Sequence, residues 1–350
     1  MRLTITLFSL IFISILSAQT FNSPESVEYD GANHRWIVGN NGAGTVSSFY
    51  PQSSSVVPFS TGTPMVTGPH GIEILGNVVY CCDGANIQGY DIATGAPVFT
   101  LNCGASFLNG ITSDGVSTLF ATDFTAKKIY RIVPSNNHFN IMATTIKTPN
   151  GILYDGANNR CVFVTWGTNA PIQAMSLLDS TISTLVTTTY SNCDGVTKDH
   201  AGYWYASCWG NNSLIRWTPT FTTPTVVMSG LSGPADIVIN VAGDSIAIPN
   251  SSSTTVVFYT NITTGISSLV GNGFRLFPNP TNSDCTITFE NPQFNSEAIL
   301  MDETGRVVRR IRFSGNKVLV EKDNLEAGIY LLTILDGKGA VLSSGKIIFE

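Results

Sequence analysis

Short runs of alternating apolar and polar residues recur along most of the chain, and turn residues separate one run from the next. Runs of this length with a period of two residues are typical of β-strands. Pairs such as Asp30-Gly31, Asp83-Gly84 and Asp155-Gly156 lie between successive runs and favour tight reversals of the chain. No stretch between residues 19 and 271 has the spacing of an amphipathic helix. The pattern therefore predicts an all-β protein.

The runs are organised into a repeating unit: a turn, a polar residue, a small residue, an aliphatic residue, a second turn and a second strand. Six copies are present. The second position of the copies is occupied, in chain order, by Glu25, His70, Asn109, Asn150, Asp194 and Ala235. A period of about 40 residues with about four short strands per copy is the signature of a β-propeller. The sequence predicts six blades over residues 19–271.

The N-terminal residues read as an export signal. Met1-Arg2 is followed by an apolar run over residues 3–16 and then by Ser17-Ala18, which predicts a signal peptide over residues 1–18. The apolar run is shorter than a membrane-spanning helix requires, and no later segment is long and apolar enough to predict one.

The C-terminal residues contain further strand patterns with distinctive motifs. These are Pro278-Asn279-Pro280, Asp302 to Gly305, Leu325-x-x-Gly328-x-Tyr330 and the terminal Lys346-Ile347-Ile348. Together they resemble the type A C-terminal sorting domain of the type IX secretion system. The resemblance implies a small Ig-like β-sandwich over residues 272–350 that the type IX machinery reads through residues 274–350. It also implies a protein that is secreted or attached to the cell surface.

The charge of the chain bears on its possible partners, and its cysteine content bears on possible disulfides. The chain has 18 Lys and Arg against 24 Asp and Glu, and residues 19–272 contain only 8 of the basic residues and no basic stripe. Nucleic acid is therefore not predicted as a partner. Seven cysteines give an odd count, so bridged pairs and free buried thiols both stay open. Cys193 and Cys208 flank one predicted hairpin, Cys82 and Cys103 lie within one repeat, and either pair could form a disulfide.

Equivalent positions of a propeller converge at one mouth of the central channel, because the first strand of each blade lines that channel. The converging side chains include two carboxylates, Glu25 and Asp194, and two carboxamides, Asn109 and Asn150. Oxygen donors of this kind suit Ca²⁺, with Mg²⁺, Mn²⁺ or Zn²⁺ as alternatives. Each Asn followed by Gly also fits an ordinary turn role. Asp236, one residue out of register, is predicted to cap a turn.

Two units carry a family resemblance. Pro149-Asn150-Gly151-Ile152 with Tyr154-Asp155, and Cys193-Asp194-Gly195-Val196 with Trp204 and Cys208-Trp209-Gly210, resemble blades of the senescence-marker-protein/gluconolactonase family, to which strictosidine-synthase-like proteins are related. The resemblance implies a divalent metal held by Glu25, Asn150 and Asp194. It also implies a substrate contact at Asn109 and a lactone or carbohydrate-like ligand.

Under that resemblance, Asp194 is the predicted catalytic residue, accepting a proton from a water, while Asn109 and His70 contact substrate. The chain departs from the family pattern where Pro24 precedes Glu25 and where Gly110 and Phe107 replace an Asp and an Arg. Two functions therefore stay open: a secreted metal-dependent lactonase or esterase-like hydrolase, and a non-catalytic propeller that binds a carbohydrate, a peptide or a surface partner. Trp166 and Trp209 are expected either between blades or at the rim of the channel.

Overall fold

The computed structural model describes residues 20–60, 67–240, 243, 245–260, 274–302, 306–337 and 341–350. The predicted signal peptide, residues 303–305 of the Asp302 to Gly305 motif and the predicted domain boundary at residues 271 and 272 lie outside this part. The chain divides into two compact units, Met1–Thr263 and Thr264–Glu350. In the described part, no helix is long and apolar enough to cross a membrane.

Each of the first three blades is a four-stranded antiparallel sheet whose strands follow one another in chain order. Blade 1 contains β1 (Pro24–Asp30), β2 (Arg35–Asn40), β3 (Thr45–Tyr50) and β4 (Ser55–Pro58). Blade 2 contains β5 (Ile72–Leu75), β6 (Val78–Asp83), β7 (Asn86–Asp91) and β8 (Pro97–Asn102). Blade 3 contains β9 (Leu108–Ser113), β10 (Leu119–Asp123), β11 (Lys128–Val133) and β12 (His138–Thr144).

The next three blades continue the pattern. Blade 4 contains β13 (Thr148–Asp155), β14 (Arg160–Trp166), β15 (Pro171–Ser176) and β16 (Ile182–Thr187). Blade 5 contains β17 (Cys193–Lys198), β18 (Trp204–Cys208), β19 (Ser213–Trp217) and β20 (Pro224–Met228). Blade 6 has three strands in the described residues: β21 (Val238–Ile239), β22 (Ile246–Asn250) and β23 (Thr255–Tyr259). The described part of the chain has four single-turn 3-10 helices, at Asn41–Ala43, Pro134–Asn136, Gly156–Asn158 and Trp209–Asn211.

The turn between the first and second strands shows how repeated residues build repeated structure. In blade 1, Arg35 Nε donates to Asp30 Oδ2 at 2.8 Å. In blade 4, Arg160 Nε donates to Asp155 Oδ2 at the same distance. Both carboxylates also accept from an Asn side chain three residues later, so the Asp-Gly-Ala-Asn turn has the same two side-chain hydrogen bonds in both blades.

Apolar faces of neighbouring blades pack on each other, because no single sheet can bury its own faces. One core cluster joins Val38 and Phe49 of blade 1 to Ala247 and Val256 of blade 6. The last blade therefore packs against the first, and the propeller closes. Backbone pairing agrees, since Phe21 N donates to Thr254 O at 3.0 Å.

The second unit is one five-stranded sheet: β24 (Phe274–Phe277), β25 (Cys285–Met301), β26 (Val307–Val320), β27 (Gly328–Leu335) and β28 (Val341–Phe349). Both halves of β25 enter the same core, with Ile287 from its start and Leu300 from its end. The sheet therefore folds over itself as a small sandwich. The prediction of an all-β chain, a six-bladed propeller followed by a β-sandwich, is confirmed.

Two of the C-terminal motifs meet in this sandwich. Asn279, from Pro278-Asn279-Pro280, donates through Nδ2 to Lys346 O and accepts from Ile348 N, both at 2.8 Å. Thr281 N donates to Ile348 O as well. The terminal strand is thus fixed by the residues that begin the domain.

Candidate functional site

The inner strands pack backbone against backbone through a ring of small residues. We call Ser26, Gly71, Gly110, Gly151, Gly195 and Asp236 the contact ring; each directly follows one of the six repeat positions. A Cβ on Gly110 would stand 2.6 Å from Asn150 O, and one on Gly151 would stand 2.4 Å from Asp194 O. Glycine is required because the backbone of the next blade occupies the space of a side chain.

Hydrogen bonds join the same positions around the channel. Gly71 N donates to Asn109 O at 2.7 Å, and Asp236 N donates to Glu25 O at 3.0 Å. The second bond connects blade 6 to blade 1. The ring therefore places the six repeat positions side by side at one end of the channel, as the repeat predicts.

Each of the three predicted metal ligands has a buried polar atom without a hydrogen-bond partner. Six buried side-chain nitrogen or oxygen atoms in the described residues have no hydrogen-bond partner. Three of them are Glu25 Oε2, Asn150 Oδ1 and Asp194 Oδ1, and a fourth is Nε1 of the neighbouring Trp209. Glu25, Asn150 and Asp194 are 7%, 1% and 4% exposed. An unpaired buried acceptor costs free energy, so three at one place require an explanation.

The titration of these carboxyls reflects the same burial. Burial raises the pKa of Glu25 well above its ordinary value, and the charges of Asp194 and Asp236 raise it further. Burial also raises the pKa of Asp194 to about 7, opposed in part by the nearby Asn150 amide and Trp209 indole. Neither group completes a hydrogen bond to Asp194 Oδ1; Asn150 Nδ2 donates instead to Cys193 O at 3.4 Å.

Within the described residues, no basic side chain forms an ion pair at this site. Among the ion pairs of the described residues, none includes Glu25, Asp194 or Asp236. Nor do any three His, Cys, Asp or Glu side chains in that part of the chain group closely enough to hold a metal by themselves. A site at the mouth would therefore depend on the amide oxygen of Asn150 beside the two carboxylates. Hard oxygen donors that lack partners fit a cation such as Ca²⁺.

The two predicted substrate contacts differ. Asn109 is buried, its carbonyl accepts from Gly71 N, and its side chain has no hydrogen bond in the described structure. His70 is already occupied: its Nδ1 lies 2.8 Å from Gly68 O, and its Nε2 lies 3.2 Å from Asn41 Nδ2. Burial lowers the pKa of His70, and Gly68 and Asp83 oppose that shift. Asn109 is thus free to meet a ligand, whereas His70 lies on the wall of the mouth.

Three further carboxylates, on or beside the inner strands, lie near this site. The sequence alone did not assign them to it. Glu28, Glu73 and Asp236 are half-buried, and their charges act on one another and, through Asp236, on Glu25. Burial raises the pKa of Glu73 to about 7, although Ser113 Oγ donates to it at 2.7 Å. Burial likewise raises the pKa of Glu28 and of Asp236 well above the ordinary value, with further increases from neighbouring carboxylates.

Asp236 does more than cap a turn. Its Oδ1 accepts from Ile237 N at 3.1 Å, yet the same atom would lie 3.2 Å from a Cβ on Gly151, two blades away. The side chain therefore reaches across the channel mouth. A repeat signal identifies the other two carboxylates: Glu28 and Glu73 stand three residues after Glu25 and His70, at the same place in the unit.

Aromatic rings form an arc on one side of the mouth. We call His70, Phe107, Phe124, Trp166 and Trp209 the aromatic arc. Successive ring centroids are 4.5, 5.9, 5.9 and 5.7 Å apart, all in edge-to-face geometry. The members are half-buried and come from blades 2 to 5. By contrast, Trp204 and Trp217 are fully buried, so these four of the five tryptophans divide between rim and core.

Comparison with known proteins identifies the C-terminal unit. Residues 275–350 match the family described as "Secretion system C-terminal sorting domain". No curated protein sequence matches the chain.

Solved structures share the propeller fold at low sequence identity. Streptogramin B lyase is 16% identical with a TM-score of 0.52, covering 69% of this chain and 94% of its own. A structural genomics protein of unknown function from Bacteroides thetaiotaomicron VPI-5482 is 12% identical with a TM-score of 0.60, covering 70% and 71%. A chain of a nidogen/laminin complex is 16% identical with a TM-score of 0.51, covering 58% and 78%. These similarities show the fold alone.

The family match of the C-terminal unit and the closed ring of six blades together establish which two domains the protein contains. The sorting domain directs export by the type IX secretion system, which confirms the predicted localisation. The protein is therefore a six-bladed β-propeller that ends in a type IX sorting domain and is exported to the cell surface or secreted.

Proposed function

We propose that the propeller is a divalent-cation-dependent hydrolase that opens a lactone or a similar ester at the channel mouth. The observation that supports this most directly is the set of unpaired, buried acceptor oxygens on Glu25, Asn150 and Asp194. Such oxygens are ligands for a hard cation, and two carboxylates match the charge of Ca²⁺. A bound cation would also favour the charged forms of both carboxyls.

The chain's own residues divide the remaining work. A bound divalent cation would polarise the ester carbonyl and acidify an attacking water. Asp194, beside the proposed cation, would accept the proton from that water. Asn109 would hydrogen-bond a ring oxygen or hydroxyl of the substrate. In their ionised forms, Glu28 and Asp236 would repel the hydroxy-acid product, since ester opening creates an anion, and so would favour its release.

An assay of lactones and simple esters on the purified full chain tests this proposal, with EDTA-treated protein reconstituted by Ca²⁺, Mg²⁺, Mn²⁺ or Zn²⁺. We expect hydrolysis that EDTA abolishes and one cation restores. Asp194→Asn should abolish turnover, whereas the matched control Glu73→Gln, a channel carboxylate outside the proposed ligand set, should retain it. Absence of both turnover and any cation-dependent thermal shift would refute the proposal.

A second function is favoured by the aromatic arc: a non-catalytic propeller that binds a carbohydrate. Half-buried Trp166 and Trp209 present apolar surface beside polar groups, and an unpaired indole N–H can donate to a hydroxyl. Phe107 stands where the gluconolactonase family has an Arg, and this replacement also favours the binding function. Oligosaccharide binding that is insensitive to EDTA, without hydrolysis of any ester, would favour this function over the first.

A further inference from the structure

Cys193 and Cys208 face each other across the first two strands of blade 5. Cys193 begins β17, Cys208 ends β18, and the two are direct partners in the antiparallel register. Trp209 N donates to Asn192 O at 2.9 Å. That bond joins the residues outside the pair, so Cys193 and Cys208 form a non-hydrogen-bonded pair, the kind in which opposing side chains lie closest.

The two sulfurs are closer than neighbouring core atoms normally are. Cys193 Sγ and Cys208 Sγ are 2.7 Å apart. Carbon atoms in contact prefer about 3.5–4.0 Å, and sulfur is larger. The Cα spacing of about 4.5 Å typical of such a pair also lies within the range that a disulfide spans. Backbone and side chains are therefore already placed for a bond.

The other five cysteines are arranged differently. Cys82 Sγ is directed at Gly110 O, and Cys103 Sγ is directed at Leu101 O. Among the seven buried thiols of the chain, all of which fall in the described part, the sulfur contact of Cys193 and Cys208 stands alone. Of the two cysteine pairs that the sequence left open, the geometry therefore favours Cys193 with Cys208.

We propose that Cys193 and Cys208 are joined by a disulfide in the exported protein. Export carries the chain to an oxidising environment in which such bonds persist. One thiolate would attack a protein or small-molecule disulfide to form a mixed disulfide, and the other would displace the oxidant's second sulfur. The two protons lost by the cysteines are taken up by the oxidant's sulfurs, so the oxidant leaves as a dithiol or two thiols. Because both sulfurs are fully buried, exchange would precede the packing of blade 5.

The disulfide would also restrain Asp194 and Trp209, which the proposed functions place at the channel mouth. Asp194 follows Cys193, and Trp209 follows Cys208, so the bridge would tie the strand ends that carry a proposed ligand and the last ring of the aromatic arc. This inference does not depend on the proposed function, because bond formation can be measured whether or not the propeller hydrolyses anything.

The test uses the full chain purified without reductant after export. We expect the intact mass to fall by the two hydrogens lost, and a protease digest to contain a peptide linking Cys193 to Cys208 that reductant separates. Reduction should also lower the unfolding midpoint by about 5–10 °C. Complete alkylation of both cysteines in denaturant without reductant would overturn the proposal.

Two variants separate the bond from general packing. Cys193→Ala with Cys208→Ala should have a midpoint that reductant no longer shifts. Cys161→Ala removes another fully buried thiol and should keep the reductant-sensitive step. A double variant that still responds to reductant would contradict the assignment; if it fails to fold, the peptide map of the wild type decides alone.

Discussion

Gly195 of blade 5 lies directly against Asp236 of blade 6: a Cβ on Gly195 would stand 2.7 Å from Asp236 Cα and 2.3 Å from Ile237 N. Backbone atoms cannot move aside as a flexible side chain can. Gly195→Ala should therefore lower the free energy of unfolding by about 3 kcal/mol or more. All five tryptophans lie in the propeller, so denaturant unfolding followed by tryptophan fluorescence isolates this unit.

Gly104→Ala is the matched control for this substitution. Gly104 has a φ of 60° but no atom within 4 Å of its Cβ position, so only backbone strain of about 1 kcal/mol is expected. Equal effects of the two substitutions would mean that the contact ring does not carry the packing we assign to it.

Asp194→Asn should have opposite effects with and without a cation. At pH 8 without added ions, removal of a buried, unpaired charge should stabilise the propeller by roughly 1–3 kcal/mol. Wild type at a Ca²⁺ concentration 100 times Kd should gain about 2.7 kcal/mol, and the variant should gain nothing. Thermal unfolding by fluorescence measures both; an unchanged calcium response in the variant would remove Asp194 from the ligand set.

The pH dependence of stability follows from the raised pKa values. Between the ordinary pKa of an Asp and about 7, folded Asp194 holds a proton that the unfolded chain has released. Stability of the ion-free propeller should therefore fall as pH rises through this window, by about 1.4 kcal/mol per pH unit for one carboxyl. Glu73 adds to the same trend. Unfolding measured from pH 4 to pH 8 in EDTA should show the decline, and Ca²⁺ should reverse it above pH 7.

Much of this arrangement could be predicted from the sequence, because a repeat converts spacing along the chain into position around a ring. The convergence of Glu25, Asn150 and Asp194 rests on that conversion. Asp236 could not be placed in the same way, since it occupies the position where four of the other five blades have glycine, and only the three-dimensional path brings it close to Gly151 of blade 4. Glu28 was hidden because most other blades have Thr or an aliphatic residue at its position.

Substitutions of Trp209 separate ring stacking from hydrogen bonding. Trp209→Phe keeps an aromatic ring against Trp166 but removes the unpaired N–H; Trp209→Ala removes both. If the arc binds sugar rings, Trp209→Phe should retain much of the affinity and Trp209→Ala should lose about 1–3 kcal/mol. Calorimetric titration with oligosaccharides measures this. Equal affinities in all three proteins would exclude the arc as the binding surface.

Asn279 should be required for export, because it fixes the terminal strand through Lys346 O and Ile348 N. Asn279→Ala leaves these backbone groups without their protein partner, at a cost of about 0.5–1.5 kcal/mol for each hydrogen bond, and should cause the chain to accumulate inside the outer membrane. Immunoblots of cell fractions and medium give the readout. Asn282→Ala, at an exposed neighbouring position, should be exported normally; wild-type export of both variants would contradict the assigned role.

The bond from Asp236 N to Glu25 O joins the first blade to the last, so the mouth acquires its shape only when nearly the whole propeller has been made and folded. A truncated or partly folded chain has no partial version of this site. Cation binding at the mouth would therefore report completion of the fold and would stabilise only finished propellers.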